Sequence, residues 1–279
     1  MAISTGLCLL LIGLAAGTYG MMVGAGGGFI LVPVLLLMFN LSPQVAAGTG
    51  LAVVLINAVS GAYGYIKQQR INYQLGVNLT LGAIPGTFIG VWLTQVIPPQ
   101  SFKWVFGFVL VALGIFLLVK RKPKTNPYNN LEDVSTSKVE IAADSSRALL
   151  QVESNQFLPR KSKMLLLLLI GILLGTVSSF FGIGGGWLMV PILIYILHES
   201  PHSATATSVF SLSIYSAVGV GIHLFHGNIN WTIVFWSGMG VLAGAQLGVY
   251  LSTKISNKLL IQMLSIVLIG VGIKMFLSA

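Results

Sequence analysis

Charged residues are scarce in this sequence. Asp, Glu, Lys and Arg together make up 8% of the 279 residues, whereas 55% are hydrophobic. A soluble globular domain carries about 25% charged residues, so the composition predicts an integral membrane protein that lies in a lipid bilayer. The net charge of +9 does not indicate nucleic-acid binding. Nine of the fifteen Lys and Arg residues lie within residues 120–163, where they report the orientation of the chain in the membrane.

Several kinds of functional residue are also missing. The single cysteine, Cys8, excludes an internal disulfide. Glu199 is the sole acidic residue outside the segment 120–163, and the sequence places it in a turn near a membrane interface. The apolar stretches hold no paired carboxylates, no Cys/His cluster and no nucleophile beside a base. This pattern disfavours a membrane enzyme, and it does not indicate a metal site.

One glycine-rich motif is present twice, in residues 24–33 and 182–191. Each copy ends in a proline, Pro33 or Pro191. Glycine costs a helix about 1 kcal/mol relative to alanine, so the motif predicts a break between two helices. Unwound backbone at membrane depth must face protein or a watery cavity, and a paired break is typical of a transporter binding site. The glycines concerned are Gly24, Gly26, Gly27 and Gly28 in the first copy and Gly182, Gly184, Gly185 and Gly186 in the second.

The two motifs belong to a longer internal similarity. A shift of 158 positions places residues 24–119 on residues 182–277 without a gap, with 25 identical pairs. The identities include Ser42-Pro43 with Ser200-Pro201 and a ladder of three glycines in each half. The sequence therefore predicts a duplication, with residues 1–122 as the first transmembrane repeat and residues 163–279 as the second. The polar residues 123–162 between them are predicted to form a flexible cytoplasmic linker.

The apolar stretches predict an all-α membrane protein. In the first half they are 3–22, 29–39, 43–66, 75–97 and 102–119, and in the second half they are 164–181, 187–197, 202–225, 231–252 and 258–278. The second stretch of each half is too short to span a bilayer, since about 11 residues at 1.5 Å each reach roughly 16 Å.

Two chain paths remain open. We expect about four spans in each half, with the glycine-rich segment broken or re-entrant and the two repeats parallel. In the alternative the short stretches also cross, each half has five spans and the repeats are inverted. Lys254 and Lys258 favour this alternative, because it brings them to the same side as the basic linker.

The glycine motifs are candidates for an anion site. A helix N-terminus presents unpaired backbone N–H groups and about half a positive charge, so it binds an anion without a buried Lys or Arg. The competing interpretation is that these glycines only permit close helix packing. Packing is the preferred interpretation for the separate ladders, which are Gly82, Gly86 and Gly90 and, in the second half, Gly240, Gly244 and Gly248.

Polar residues on the predicted spans 43–66 and 202–225 are candidates for lining a substrate path. They are Thr49 and Asn57 in the first half and Thr207 and Ser208 in the second. Ser and Thr hydroxyls also bond helix carbonyls in membranes without any further role. Among the four histidines, His223 is the candidate for coupling transport to protons, since the others fall near predicted span ends.

The duplicated Gly-x-Gly-Gly-Gly-aromatic-(x)3-Pro motif, followed by Ser-Pro and a helix that carries Thr, resembles the sulfite exporter TauE/SafE family. This family is also described as sulfonate permeases of bacterial inner membranes. The resemblance covers both halves but not the linker. It implies a multi-pass transporter without enzymatic activity or cofactor, and substrates such as sulfite, sulfoacetate or other small sulfur-containing anions.

Residues and resemblance together predict a secondary transporter of small anions in the plasma membrane, with export as the expected direction. Two other functions remain open at this stage. One is a passive anion channel, and the other is a membrane scaffold that acts through its linker. The sequence fixes neither the substrate, nor the coupling ion, nor the oligomeric state.

Overall fold

The computed structural model describes residues 3–119, 160–254 and 257–277, so the predicted linker lies outside the described residues except at its last positions. Those positions are helical, because a helix begins at Arg160. The described residues form ten helices and no strands. The helices are α1 (Ile3–Val23), α2 (Gly28–Leu37), α3 (Pro43–Lys67), α4 (Tyr73–Val96), α5 (Pro99–Val119), α6 (Arg160–Phe181), α7 (Gly186–Tyr195), α8 (Pro201–Phe225), α9 (Trp231–Ser252) and α10 (Asn257–Leu277).

The all-α membrane class is confirmed. Within the described residues, seven helices are long and apolar enough to cross a membrane, whereas α2 and α7 have ten residues each. The two glycine motifs end one helix and begin the next, as predicted. The bounds of α2, α3 and α5 coincide with those of α7, α8 and α10 at the shift of 158. The duplication itself stays an inference from the sequence.

The starts of the long helices follow from short capping signals. Pro43 and Pro201 occupy the first position of α3 and α8, where a missing N–H has no cost. The hydroxyl of Ser200 accepts a hydrogen bond from the Ser203 N–H, whereas the hydroxyl of Ser42 makes no capping bond. In α4 and α9 the cap is an asparagine, because Asn72 and Asn230 accept from the N–H three residues later.

The first helix of each half packs against the fourth helix of the other half. The ladder glycines Gly82 and Gly90 of α4 lie against the carbonyls of Leu168 and Thr176 in α6. A Cβ at any ladder position would overlap backbone of the neighbouring helix, so the packing interpretation of the ladders is confirmed.

The equivalent pair is α1 and α9, and its contacts show the direction of the chains. Gly240 lies against Leu10 and Gly248 against Thr18, so α1 and α9 run in the same direction. The halves are therefore interlaced rather than side by side.

Hydrogen bonds between side chains and backbone show the directions of the central helices α3 and α8 as well. Thr49 Oγ1 accepts from the Asn230 N–H, and Gln246 donates to the Ser60 carbonyl, so α3 runs with α9. In the other half, Thr207 Oγ1 accepts from the Asn72 N–H at 2.9 Å, which pairs the start of α8 with the start of α4. Helices α1, α3 and α9 thus begin at one face of the bundle, and α4, α6 and α8 begin at the other.

The short helices return across the bundle. Helix α1 ends towards the face at which α3 ends, so the connection through α2 must lead back to the start of α3. The same holds for α7 between α6 and α8. Of the two chain paths left open by the sequence, these contacts favour the inverted one. The face at which α5 ends and α6 begins is called the linker face below, and its counterpart is called the opposite face.

The positive charges separate between these faces. Lys67 ends α3 at the linker face, and Arg70 and Lys254 follow the ends of α3 and α9 there. The first turn of α6, which begins at Arg160, adds further basic residues to this face. Lys103 and Lys274 belong to the opposite face, near the start of α5 and the end of α10. Among the described residues, the inverted path therefore places most Lys and Arg residues at the linker face.

Candidate functional site

The two glycine loops have backbone conformations that favour glycine. Gly24, Gly26 and Gly27 in the first loop have φ angles of 76°, 76° and 79°. In the second loop Gly182 and Gly184 have φ angles of 68° and 75°. A side chain at these positions would be strained, which explains the glycine density that the sequence shows.

The two loops meet in the interior. A Cβ at Gly28 would lie 2.5 Å from the carbonyl oxygen of Ile183, and a Cβ at Gly186 would overlap the carbonyl oxygen of Gly24. Residues 21–29 and 180–187 are buried throughout. The structure therefore brings together all eight glycines predicted for the site, and it does so by direct backbone contact between the loops.

Two apolar side chains lie between the loops. A Cβ at Gly26 would lie 2.5 Å from Leu212 and 3.0 Å from Val54, and a Cβ at Gly184 would lie 2.8 Å from Val54. Val54 and Leu212 are both fully buried and lie 158 positions apart, in α3 and α8. Sequence reasoning missed them, because an apolar residue in an apolar helix carries no signal except its place in the repeat.

Polar side chains of α3 and α8 hold the loops in place. Asn57 Nδ2 donates to the Gly26 carbonyl at 2.9 Å, and Ser208 Oγ donates to the Gly24 carbonyl at 2.8 Å. Tyr215, the repeat counterpart of Asn57, accepts from the Gly185 N–H at 2.9 Å. The predicted residues Asn57 and Ser208 thus touch the first loop directly.

Hydrogen-bond donors remain free where α2 and α7 begin. Among the described residues, the amides of Gly28 and Phe29 donate to no acceptor, and neither do those of Gly186 and Trp187. Asn57 Oδ1 is also buried without a partner. The first amides of a helix have no acceptor within the helix, and leaving them buried without another partner costs about 1–3 kcal/mol each. These buried helix starts therefore have donors available for a ligand.

The threonines predicted for the path have a different place. Thr49 Oγ1 accepts from the Asn230 N–H, and Thr207 Oγ1 accepts from the Asn72 N–H, both at 2.9 Å. Both hydroxyls therefore tie one helix to the start of another across 181 and 135 positions. Thr207 precedes Ser208, so it lies one residue from a direct loop contact, whereas Thr49 precedes Gly50, which packs against Gly182.

His223 is fully buried, and its ring lies against the Ser179 backbone at the end of α6, although neither ring nitrogen reaches hydrogen-bond geometry in the described chain. Ser178 lies close to the Tyr215 hydroxyl. The hydroxyls of Ser178, Ser179 and Ser216 are buried, and among the described residues none of them makes a hydrogen bond of full geometry. His223 and these three serines are called the polar cluster below. The sequence indicated His223 alone, since a buried serine in a membrane helix looks like any helix-bonding serine.

A sequence model of the family described as Sulfite exporter TauE/SafE matches residues 9–275. The chain belongs to the TauE/SafE family. Its curated relatives include the probable membrane transporter protein YunE of Bacillus subtilis, which is 30% identical over 95% of this chain and 94% of its own length. The probable membrane transporter protein MJ0441 of Methanocaldococcus jannaschii is 25% identical over 96% of this chain and 94% of its own. No solved structure matches the chain.

TauE/SafE membership confirms the resemblance inferred from the duplicated motif, and it covers both glycine loops and the polar cluster. The relatives span the same length as this chain, so the match concerns the whole architecture rather than one segment. The chain is therefore a multi-pass protein of a membrane transporter family.

Proposed function

We propose that the protein is a secondary transporter that exports small anions such as sulfite or organosulfonates. The observation that carries this proposal is the pair of glycine loops, which contact each other and leave free amides at the N-termini of α2 and α7. Backbone donors at helix N-termini attract negative charge, and an anion with three oxygens offers an acceptor to several of them. The passive channel is disfavoured because the loops touch and Val54 and Leu212 fill the space between them.

The binding residues proposed are the eight glycines with Asn57 and Ser208, and the path continues past Thr49 and Thr207. Asn57 is central, since Nδ2 anchors the first loop while Oδ1 remains free. An anion that accepts from the amides of Gly28 and Phe29 would enter where Val54 and Leu212 now lie. Binding therefore requires these two side chains to move apart, which couples occupancy to a change in helix packing.

The moving bodies are not the two sequence halves. Because α1 packs on α9 and α4 on α6 through glycine ladders, each close helix pair takes one helix from each half. Rocking one repeat against the other would break both ladders. We propose instead that the α1–α9 pair and the α4–α6 pair move as units about the crossing of α3 and α8, which exposes the loops to each face in turn.

Coupling to protons is proposed to run through His223. Ionisable residues inside a membrane are rare and mark proton or substrate paths. The polar cluster lies at the C-terminal end of α8, towards the opposite face, which the positive-inside rule makes the outer face of a bacterial plasma membrane. The linker is then cytoplasmic, and a proton that enters through the polar cluster accompanies export of the anion.

The test is flux in proteoliposomes. The purified protein is reconstituted into proteoliposomes, and the flux of sulfite and of sulfoacetate across their membrane is measured with and without an imposed pH gradient. Saturable flux of either anion that the gradient accelerates is the expected result, and a linear, gradient-independent flux would establish a channel. In Asn57→Leu, flux should fall by at least tenfold, because the loop loses its anchor and the free Oδ1. Full flux in this variant would exclude the glycine loops as the site.

A matched control is Asn78→Leu. Asn78 lies in α4 and takes no part in the loop contacts. The same chemical change there should leave flux within about twofold of the wild type. Absence of flux in the wild type for both anions would move the substrate outside the sulfur anions.

A further inference from the structure

A second polar site lies at the linker face, away from the glycine loops. An open pocket of about 600 Å³ is bounded by the α3–α4 turn and the start of α8. The side chains that line it include Arg70, Asn72, Tyr73, Ser200, His202 and Ser203. Nearly all of these carry hydrogen-bonding groups, which sets the pocket apart from the apolar helices around it.

Arg70 is the charged group of this pocket. Its Nη1 is buried and has no hydrogen-bond partner among the described residues. The nearby carboxylate of Glu199 does not fill that role, because Oε1 accepts from Asn72 Nδ2 and Oε2 accepts from Ser203 Oγ, both at 2.8 Å. Glu199 thus holds two walls of the pocket together, while the guanidinium keeps donors that no side chain uses.

We propose that this pocket is an anion-capture site that loads the transporter from the linker face. A guanidinium with free donors binds an oxyanion through paired N–H···O bonds, and Tyr73 and Ser200, which also line the pocket, carry hydroxyls that can donate to further oxygens. The ligand class is a small oxyanion of sulfur, with the inorganic ion or a sulfonate equally suited by charge and shape. This proposal rests on the proposed function.

The pocket is joined to the loops by a short chain of contacts. The Asn72 N–H donates to Thr207 Oγ1, and the next residue, Ser208, donates to the Gly24 carbonyl. The start of α8 thus connects the pocket, through Asn72 and Thr207, to the first glycine loop, through Ser208 and Gly24. Because of these contacts, a movement of the first glycine loop should also shift α8 and the residues that line the pocket.

The opposite face lacks this device. The repeat counterpart of Arg70 is Asn228, and the counterpart of His202 is Gln44. Among the described residues, the equivalent positions at the opposite face therefore lack the guanidinium that would capture an anion, which favours loading from the linker side. This asymmetry should lower the anion concentration needed for half-maximal loading at the linker face relative to the opposite face, while the gradients of anion and coupling ion set the direction of net flux.

The test separates binding from transport. Sulfite and sulfoacetate dissociation constants are measured by titration calorimetry on the detergent-solubilised full chain. Arg70→Gln should weaken binding by about tenfold or more, the loss expected for a charge-assisted hydrogen bond, and Arg70→Lys should weaken it less. The matched control is Lys67→Gln, an exposed cation three residues earlier at the same face, with an expected change below twofold.

Equal affinity in wild type and Arg70→Gln would overturn the capture site. Should Arg70→Gln fail to fold, His202→Gln replaces it, with an expected weakening of about threefold. Short-chain phosphatidylglycerol is titrated in parallel. Arg70-dependent binding of this lipid without binding of either soluble anion would also overturn the proposal, because the pocket would then hold a headgroup.

Flux into inverted membrane vesicles supplies the second readout. Arg70→Gln should raise the KM for anion offered at the linker face while kcat stays within twofold. No flux in the wild type would reject the proposed function, yet the calorimetric comparison would still decide the pocket. An unchanged KM in a transporting Arg70→Gln variant would overturn the loading role.

Discussion

The two halves share a backbone plan but fill one equivalent region differently. In the first half Tyr65 donates to the carbonyl of Met21 at 2.7 Å and closes the end of α1. In the second half His223 and Ser179 occupy the same repeat positions, but neither His223 ring nitrogen makes a hydrogen bond of full geometry with the described residues. At this position the first half therefore has a complete hydrogen bond, whereas the second half has a buried titratable side chain.

Two neighbouring positions also carry polar side chains in the second half and none in the first. Ser178 and Ser216 correspond to Gly20 and Ala58, which have no side-chain polar atoms. A buried hydroxyl without a partner costs about 1–3 kcal/mol, and at these two positions the first half avoids that cost. This difference supports the proposed role of the polar cluster, which stays a prediction.

The largest effect is expected where the halves are equivalent. Gly86→Leu and Gly244→Leu place a side chain against the backbone of α6 and α1 respectively, and both should destabilise the fold by about 3 kcal/mol or more. The yield of monodisperse protein after detergent extraction measures this. Gly221→Leu is the control, because that helical glycine faces open space. Loss in one ladder variant alone would show that the halves do not share their packing equally.

The second-largest effect is a difference in stability between alanine substitutions at Gly27 and Gly185, which occupy equivalent positions in the two repeats. Gly27 has φ of 79° and its Cβ would overlap the carbonyl of Ala16, whereas Gly185 has φ of −72° and its Cβ would lie 2.7 Å from the Tyr215 hydroxyl. Gly27→Ala should therefore cost about 2–3 kcal/mol and Gly185→Ala about 1 kcal/mol. Thermal unfolding followed by tryptophan fluorescence checks the order, and an inverted order would contradict the loop geometry.

A third prediction exchanges the residues that distinguish the halves. His223→Tyr installs the first-half residue beside Ser179, where a hydroxyl can donate to backbone as in Tyr65. Flux should persist at a reduced rate but lose its acceleration by a pH gradient, since the titratable group is gone. The reciprocal Tyr65→His is the control, and it should leave the gradient dependence unchanged. Retained acceleration in His223→Tyr would remove histidine from the coupling path.

The smallest effect concerns one hydroxyl. Ser216→Ala copies Ala58 and removes an unpaired buried group, so it should stabilise the protein by about 1 kcal/mol, or roughly 2–4 °C in melting temperature. Thr87→Ala is the control, because Thr87 Oγ1 donates to the Ala83 carbonyl and its loss should not stabilise. A lower melting temperature in Ser216→Ala would mean that the hydroxyl has a structural partner after all.

Most helix positions were predictable because each rests on a local signal. Pro43 and Pro201 begin helices, and glycine density ends α1 and α6, so each predicted stretch fell within a few residues of its helix. The chain path was not predictable in the same way. It depends on the direction of α1 relative to α9, which contacts between Leu10 and Gly240 reveal and no local pattern encodes.

The residues of the candidate site also differ in whether a local sequence signal predicts them. The glycines and Asn57 were found because they depart from an apolar background. Thr49 and Thr207 were assigned to a path, and their bonds to Asn230 and Asn72 lie more than 130 positions away in sequence. Val54 and Leu212 were missed since they match that background. The role of the site, as opposed to its geometry, stays a prediction.

The interlaced packing has a consequence for synthesis of the chain. Helix α1 ends at Val23, and its packing partner α9 begins only at Trp231. At about 5–20 residues per second, α1 waits roughly 10–40 s in the bilayer before that partner is made. During that interval its glycine face is open to lipid or to an insertion factor. Neither half alone can complete its own glycine-ladder contacts, so each half needs the other to assemble.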